Sequence, residues 1–447
     1  MLNKVKDLVF LLLSASLFSC GRPVRRTGGE ITPEMLKNFR SAEAVLPHDS
    51  AFLHRDLYEV TLDSAVVATL DTACTYRIRT KGMTDQMKSG RCWLFSTFNL
   101  YRAEVIKEYA LDGFEFSETF GQFYDLLEKC NRWFENVMEY RDEPLVSRMN
   151  NHLFRKPVGD GGHFMNAAHI LSKYGTVPRE IMPEKFSSTD NARLMRTVLT
   201  LLRKYGMQLR RAREDSLPAI KEKGLGSIYH LLTQTLGTPP QEFEWMGGSY
   251  TPLSFRDKFI RHDPENDYAV LMNDPTLPYY SMYEVDNSRN CYELDNWTFL
   301  NLPMMELEDL GIASLKDSTM FYFSCDTYHG DEAAAGLYSE NIHDFAGKLG
   351  VDLSMNKEER IASGEIFSVH AMAMAGVKLD SEGRPVHWVS ENSYGPGRGF
   401  GGFIVMDAPW LRAYLFRMAV EKRFLSKDQR MMLESKVTLI PCWNLNY

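Results

Sequence analysis

Apolar and polar positions divide the chain into a helix-rich front and a strand-rich C-terminal third. From Cys92 to Tyr109 the residues Leu94, Phe98, Tyr101 and Val105 step by four, three and four, the spacing of one helix face. Gly90 stands before this run and Asp112-Gly113 closes it. Residues 164–174 and 191–236 also read as largely helical. The C-terminal third changes period. Residues 320–324, 366–377, 386–390 and 403–406 are short apolar runs parted by Gly, Pro and Asp, as strands are. Helices first and sheet later predict an α+β fold whose two parts face each other.

The first twenty residues stand outside that pattern. Lys4 and Lys6 make a basic start, residues 8–18 are apolar, and Ser19-Cys20-Gly21 follow. The run has the length of a secretory h-region and is too short to span a bilayer. Cys20 after Leu17-Phe18-Ser19 resembles the lipobox of bacterial lipoproteins, whose Cys is acylated and becomes the new N-terminus. A simple signal peptide with an incidental Cys is the alternative. The expectation is a lipoprotein signal peptide over 1–19 and a tether over 20–45, punctuated by Pro23, Gly28, Gly29 and Pro33. The protein would then be held to a membrane of the bacterial cell envelope, at its periplasmic or outer face, through lipid on Cys20.

Size and charge narrow the rest. At 447 residues the chain needs two domains or one with large insertions. A formal charge of -8 offers no basic face for nucleic acid. Arg210, Arg211 and Arg213 have Glu214 and Asp215 beside them and read as a solvated helix face. Apart from Cys20 and Cys92, the cysteines at 74, 130, 291, 325 and 442 are scattered, odd in number and without CxxC spacing. That predicts neither a disulfide framework nor a metal site. Gly397-Arg398-Gly399-Phe400-Gly401-Gly402 matches GxGxxG but leads into a strand, so no dinucleotide cofactor is expected. His329-Gly330-Asp331-Glu332 lacks a second His one helical turn away and reads as a surface loop.

Three segments together suggest chemistry. Cys92 begins the predicted helix, where free N–H groups and the dipole favour a thiolate. His370 lies among small apolar residues in 368–376, as in a buried strand. The cluster Asp380-Ser381-Glu382-Gly383-Arg384-Pro385 then turns the chain toward Glu391-Asn392. A turn centred near residue 381 sets His370 directly across from Asn392, about 5 Å away on one face; a slip of one residue would part them. A nucleophile, its base and an orienter of the base make a Cys-His-Asn triad. Gln86, six residues before Cys92, can join the Cys92 backbone N–H as an oxyanion donor. His163, beside Gly161 and Gly162, reads equally as a substrate contact or as loop packing.

Gln86 through Phe95, His370, and Glu391-Asn392-Ser393-Tyr394-Gly395 resemble the catalytic segments of the papain superfamily. Ser89-Gly90-Arg91-Cys92-Trp93, Asp160-Gly161-Gly162, Lys173-Tyr174-Gly175, Asn273-Asp274-Pro275, Cys325-Asp326 and His370-Ala371-Met372 narrow the resemblance to the bleomycin hydrolase / aminopeptidase C branch. It implies a papain-like, two-lobed cysteine peptidase over 46–447, a helical lobe plus a β-barrel-like sheet lobe. Helical and hook insertions would fall at about 100–155 and 165–320. It implies peptide substrates, Gly161 and Gly162 bonding the substrate backbone, and assembly as a homo-hexamer. It also implies a C-terminal arm over 437–447 whose terminal carboxylate, on Tyr447, meets the substrate's amino group.

There are three departures from the branch, the first being the lipoprotein-like start, unlike its cytoplasmic members. Tyr394 replaces the Trp that covers the His–Asn bond, and only four residues follow Leu439-Ile440-Pro441-Cys442-Trp443. A short arm predicts dipeptidyl or internal cleavage alongside or instead of single-residue release; the alternative is that the bulky Tyr447 fills the gap and keeps strict aminopeptidase action. A non-catalytic, membrane-tethered scaffold on the same fold is the rival reading. It has no need of Gln86, Cys92, His370 and Asn392 together.

Overall fold

The helix Cys92–Glu108 begins at the predicted residue, but it is not amphipathic. Its apolar stripe is buried, and so are Ser96, Thr97, Asn99 and Arg102. The reason is enclosure: the helix packs on the strand His370–Leu379 and also on the helices Glu118–Glu139 and Phe164–Tyr174. Over 93–102 the helix is covered on all sides and has no solvent face to keep polar; only its last turns, at Glu104, Lys107 and Glu108, reach solvent. Its neighbours obey local rules. Ser117 caps Glu118–Glu139, its Oγ accepting from the Phe120 N–H at 3.1 Å. The stretch 191–236 divides into Ala192–Arg211 and Leu217–Leu236, with Pro218 in the first turn of the second, where a missing N–H costs nothing.

The structure is a computed structural model and describes residues 29–43, 48–69, 71–332 and 335–444. The predicted signal run, Cys20 and Tyr447 lie outside the described residues. The described backbone falls into two compact units, one drawn from residues 56–344 and 353–444, the other from residues 29–55 and 345–352. In the smaller, the described part holds the helix Pro33–Glu43, none of it buried, the turn Ser50–Leu53 and the helix Phe345–Leu349. No helix among the described residues is long and apolar enough to cross a membrane.

In the larger unit the described residues form a sheet of twelve strands. Its middle runs Tyr268–Met272, Leu415–Glu421, Phe321–Cys325, His370–Leu379, Pro385–Glu391, Phe403–Asp407. The expected strands are there within a few residues, except that 366–369 precede the strand rather than joining it. Sequence periodicity missed Tyr268–Met272 and Leu415–Glu421, which are buried along their whole length and therefore carry no alternation. The stretch read as inserted, 165–320, supplies Tyr268–Met272, Ser281–Val285 and Thr298–Asn301 to this sheet.

The strand His370–Leu379 separates two cores by alternation. Ala371, Ala373 and Ala375 belong to the aromatic core on the helix side, while Met372 and Met374 join the opposite core with Trp388 and Trp410. Three methyl-sized side chains let the helix that starts at Cys92 lie close against the strand that starts at His370.

Candidate active site

The hairpin that carries His370 and Asn392 differs from the expected register by two residues. Asp380 Oδ1 accepts from the Glu382 and Arg384 N–H groups, both at 2.9 Å, and Gly383 takes φ +82°, so the turn centres on Glu382. Ala373 then pairs with Glu391 and Met374 with Ser390. Carried one step on, this sets Met372, not His370, opposite Asn392. A centre moved by one residue moves the register by two, which preserves the face. His370 and Asn392 therefore meet diagonally, with His370 Nε2 2.8 Å from Asn392 Oδ1.

The tautomer follows from the partners. The Ser393 N–H donates to Asn392 Oδ1 at 2.8 Å, which identifies that atom as the carbonyl oxygen. It can only accept, so His370 Nε2 carries the hydrogen and Nδ1 keeps its lone pair. Tyr394 lies parallel to the imidazole, ring centres 5.0 Å apart at 5°, and covers it as the branch's Trp would. The Arg398 guanidinium lies 5.3 Å from the Tyr394 ring centre.

Cys92, His370, Gln86, Gly161 and Gly162 line one cavity of about 330 Å³, with Tyr322, Tyr394 and Arg417 also on its wall. Asn392 is buried behind His370. A larger cavity of about 710 Å³, lined by Arg77, Lys81, Glu104 and Lys107, contains none of these residues. Gly162 is required at its position, since a Cβ there would come within 2.8 Å of the Trp93 ring. Gly161 has open space around it.

Burial dominates the electrostatics. It pushes the Cys92 thiol up to about 11, although backbone groups of Ala371 and Trp93 favour the thiolate. The helix start alone had suggested a lowered value; a partly buried sulfur packed among protein atoms loses more hydration than the dipole returns. Burial likewise drives His370 down to about 4, against the bond it donates to Asn392. Burial thus disfavours each charge taken alone, a thiolate without an imidazolium or an imidazolium without a thiolate.

Gln86 makes more bonds than its expected role implied. Its Nε2 donates to the Ser89 carbonyl at 2.6 Å, and its Oε1 accepts from Ser393 Oγ at 2.6 Å. An amide nitrogen has two hydrogens, so one is left beyond the Ser89 bond. His163 lines a neighbouring cavity of about 240 Å³ with Gly161, Gly162 and Cys442, its Nε2 3.3 Å from the Ser288 carbonyl.

Several bracing residues escaped the sequence reading. The Asp160 carboxylate accepts from the Gly90 N–H and from Asn191 Nδ2, both at 2.6 Å, and its carbonyl accepts from Trp93 Nε1. Arg91 is held by both oxygens of Glu184, at 2.9 and 2.8 Å. Glu391, beside Asn392, pairs with Arg102 inside the protein and accepts from Thr80 Oγ1 at 2.6 Å. The one signal for this last pair was a carboxylate closing an apolar strand.

Residues 29–445 match the Peptidase C1-like family. Aminopeptidase C from Lactobacillus delbrueckii subsp. lactis is 33% identical, over 83% of this chain and 87% of its own length. Aminopeptidase W from the same organism is 30% identical, over 93% of this chain and 99% of its own. The crystal structure of PepW from Lactobacillus rhamnosis superposes with a TM-score of 0.89 at 28% identity, covering 93% of this chain and 98% of that one. With matches of that extent on a papain-like fold, the chain belongs to the Peptidase C1-like family, as a cysteine-type peptidase of the aminopeptidase C / bleomycin hydrolase branch.

Proposed function

We propose that Cys92, His370, Asn392 and Gln86 carry peptide hydrolysis as nucleophile, base, orienter and oxyanion donor. The observation that carries this reading is the pair of bonds on Asn392 Oδ1, which leaves His370 Nδ1 free to accept a proton. His370 Nδ1 takes the proton of Cys92 Sγ as the thiolate attacks the scissile carbonyl. Neither charge forms alone, since thiolate and imidazolium arise together. The remaining hydrogen of Gln86 Nε2 and the Cys92 N–H serve the oxyanion. The tetrahedral intermediate collapses, His370 returns its proton to the leaving amine, and water then frees the acyl group from sulfur. The names of the relatives support this enzyme reading over a scaffold.

For the cleavage mode, we favour release from the amino end of peptides. The strand Val437–Ile440 pairs in parallel with Ser281–Val285, and Cys442 reaches the cavity shared with Gly161 and Gly162. We read that neighbouring cavity as the end of the cleft that receives the substrate's amino end, where a chain segment leaves no room for an N-terminal extension. The test is a timed digest of a peptide with a free amino end and its N-acetylated twin. Only the free-amine peptide is expected to shorten, from its first residues. Equal cleavage of both would overturn this mode in favour of internal cleavage, and release in pairs would mark dipeptidyl action.

The lipid tether is part of the same proposal and rests on Leu17-Phe18-Ser19-Cys20. Cells fed a fatty-acid analogue are expected to label the wild-type protein and not a Cys20→Ser variant. Unlabelled wild type would refute the tether.

A further inference from the structure

Away from the cleft, the far end of the helix Cys92–Glu108 meets a loop and a strand end at a group of metal-capable side chains. Glu104 lies in the last turns of that helix, His262 follows the helix Pro252–Phe259, and Glu421 ends the strand Leu415–Glu421. One ligand atom of each lies within 4.8 Å of the other two, the one such group among the described residues. His262 Nε2 is 3.5 Å from Glu104 Oε1 and 3.8 Å from Glu421 Oε1. Two ligands held at about 2.0–2.2 Å by a tetrahedral zinc ion stand roughly 3.3–3.6 Å apart. Both spacings to the imidazole are therefore close to those of a loaded site.

An independent observation also points to a ligand. Glu421 is only 3% exposed, yet its Oε1 has no hydrogen-bond partner. Its Oε2 is taken by Arg423 Nε at 2.5 Å. An unmatched oxygen on a buried carboxylate is costly, and this one is aimed at His262. The other two side chains keep the site open to solvent, Glu104 being 34% and His262 27% exposed. The Asp267 carboxylate stands on the other side of the imidazole, 3.9 Å from Nδ1. That is too far for a hydrogen bond but is the side where metal-bound histidines usually have a carboxylate.

We propose that Glu104, His262 and Glu421 bind one divalent transition ion, zinc being the best fit, with water completing the shell. Imidazole nitrogen and carboxylate oxygen are ligands that zinc accepts. Glu104 is twelve residues from Cys92, about 18 Å along a helix, so the ion has no part in hydrolysis. It ties the end of the helix that carries the nucleophile to the sheet and to the loop at 260–267.

The competing arrangement is an imidazolium between carboxylates with no metal. The full chain, with its thiols alkylated by iodoacetamide and stripped with EDTA, is titrated with zinc chloride. We expect one equivalent retained through gel filtration, a higher unfolding temperature, and an absorption spectrum with oxygen and nitrogen neighbours at about 2.0–2.1 Å and no sulfur. His262→Gln and Glu104→Gln should each lower zinc affinity about tenfold or more. No retained zinc in the parent, a sulfur shell, or unchanged affinity in the variants overturns the site. Should His262→Gln fail to fold, the partly exposed Glu104→Gln and the parent's spectrum still decide.

Discussion

Replacing Cys92 with alanine is expected to lower kcat/KM on the order of 10⁶-fold, to the level left by binding and the oxyanion donors alone. His370→Ala should cost about as much, because a thiol with a pKa pushed up to about 11 is not an effective nucleophile without its base. Asn392→Ala should cost roughly a hundredfold less, as expected for a member that only orients the base. Its loss frees the imidazole to take the other tautomer but leaves the ring stacked on Tyr394. Single-turnover kinetics on a fluorogenic peptide, with circular dichroism to check folding, measures all three. Residual activity of Cys92→Ala within tenfold of the parent would remove Cys92 as nucleophile. An equal loss for Asn392→Ala and His370→Ala would give Asn392 a larger part than orientation.

The second large effect concerns stability. Arg102→Met leaves Glu391 buried, with Thr80 as its remaining close polar partner and its guanidinium counter-charge gone. Both side chains are within 2% of full burial, so solvent cannot substitute. Breaking such a pair from one side typically costs about 3–5 kcal/mol. Burial already raises the Glu391 carboxyl above its ordinary value against the pull of Arg102, so the unpaired acid should take up a proton in the variant. Urea unfolding is expected to show a markedly lower midpoint for Arg102→Met. Adding Glu391→Gln should recover part of the loss, because the orphaned charge is then gone. A single variant as stable as the parent would mean that the pair contributes nothing net. Activity should fall with stability, since Glu391 immediately precedes Asn392.

The sequence made the candidate site legible where chemistry is local. Cys92 at a helix start, His370 among alanines and Asn392 beyond a turn could be read because each lies in a short segment with its own signal. The facing of His370 and Asn392 survived a wrong turn centre because strand parity is unchanged by a shift of two. What could not be read depends on contacts distant in the chain. Glu391 and Arg102 are 289 residues apart, and Asp160 and Gly90 are 70 apart. Neither pairing leaves a periodic trace. The strands Tyr268–Met272 and Leu415–Glu421 were missed for a related reason. A strand covered on both faces looks the same as any apolar run.

The alanine stripe at 371, 373 and 375 gives this enzyme a built-in calliper. One jaw is the helix that begins with the sulfur, the other is the strand that begins with the imidazole, and three methyl groups are the shim between them. A misplacement of about 1 Å can cost on the order of 10² in rate. A valine at one of these positions would therefore be felt at Cys92 as a loss of aim, in a protein whose fold still had two well-packed cores.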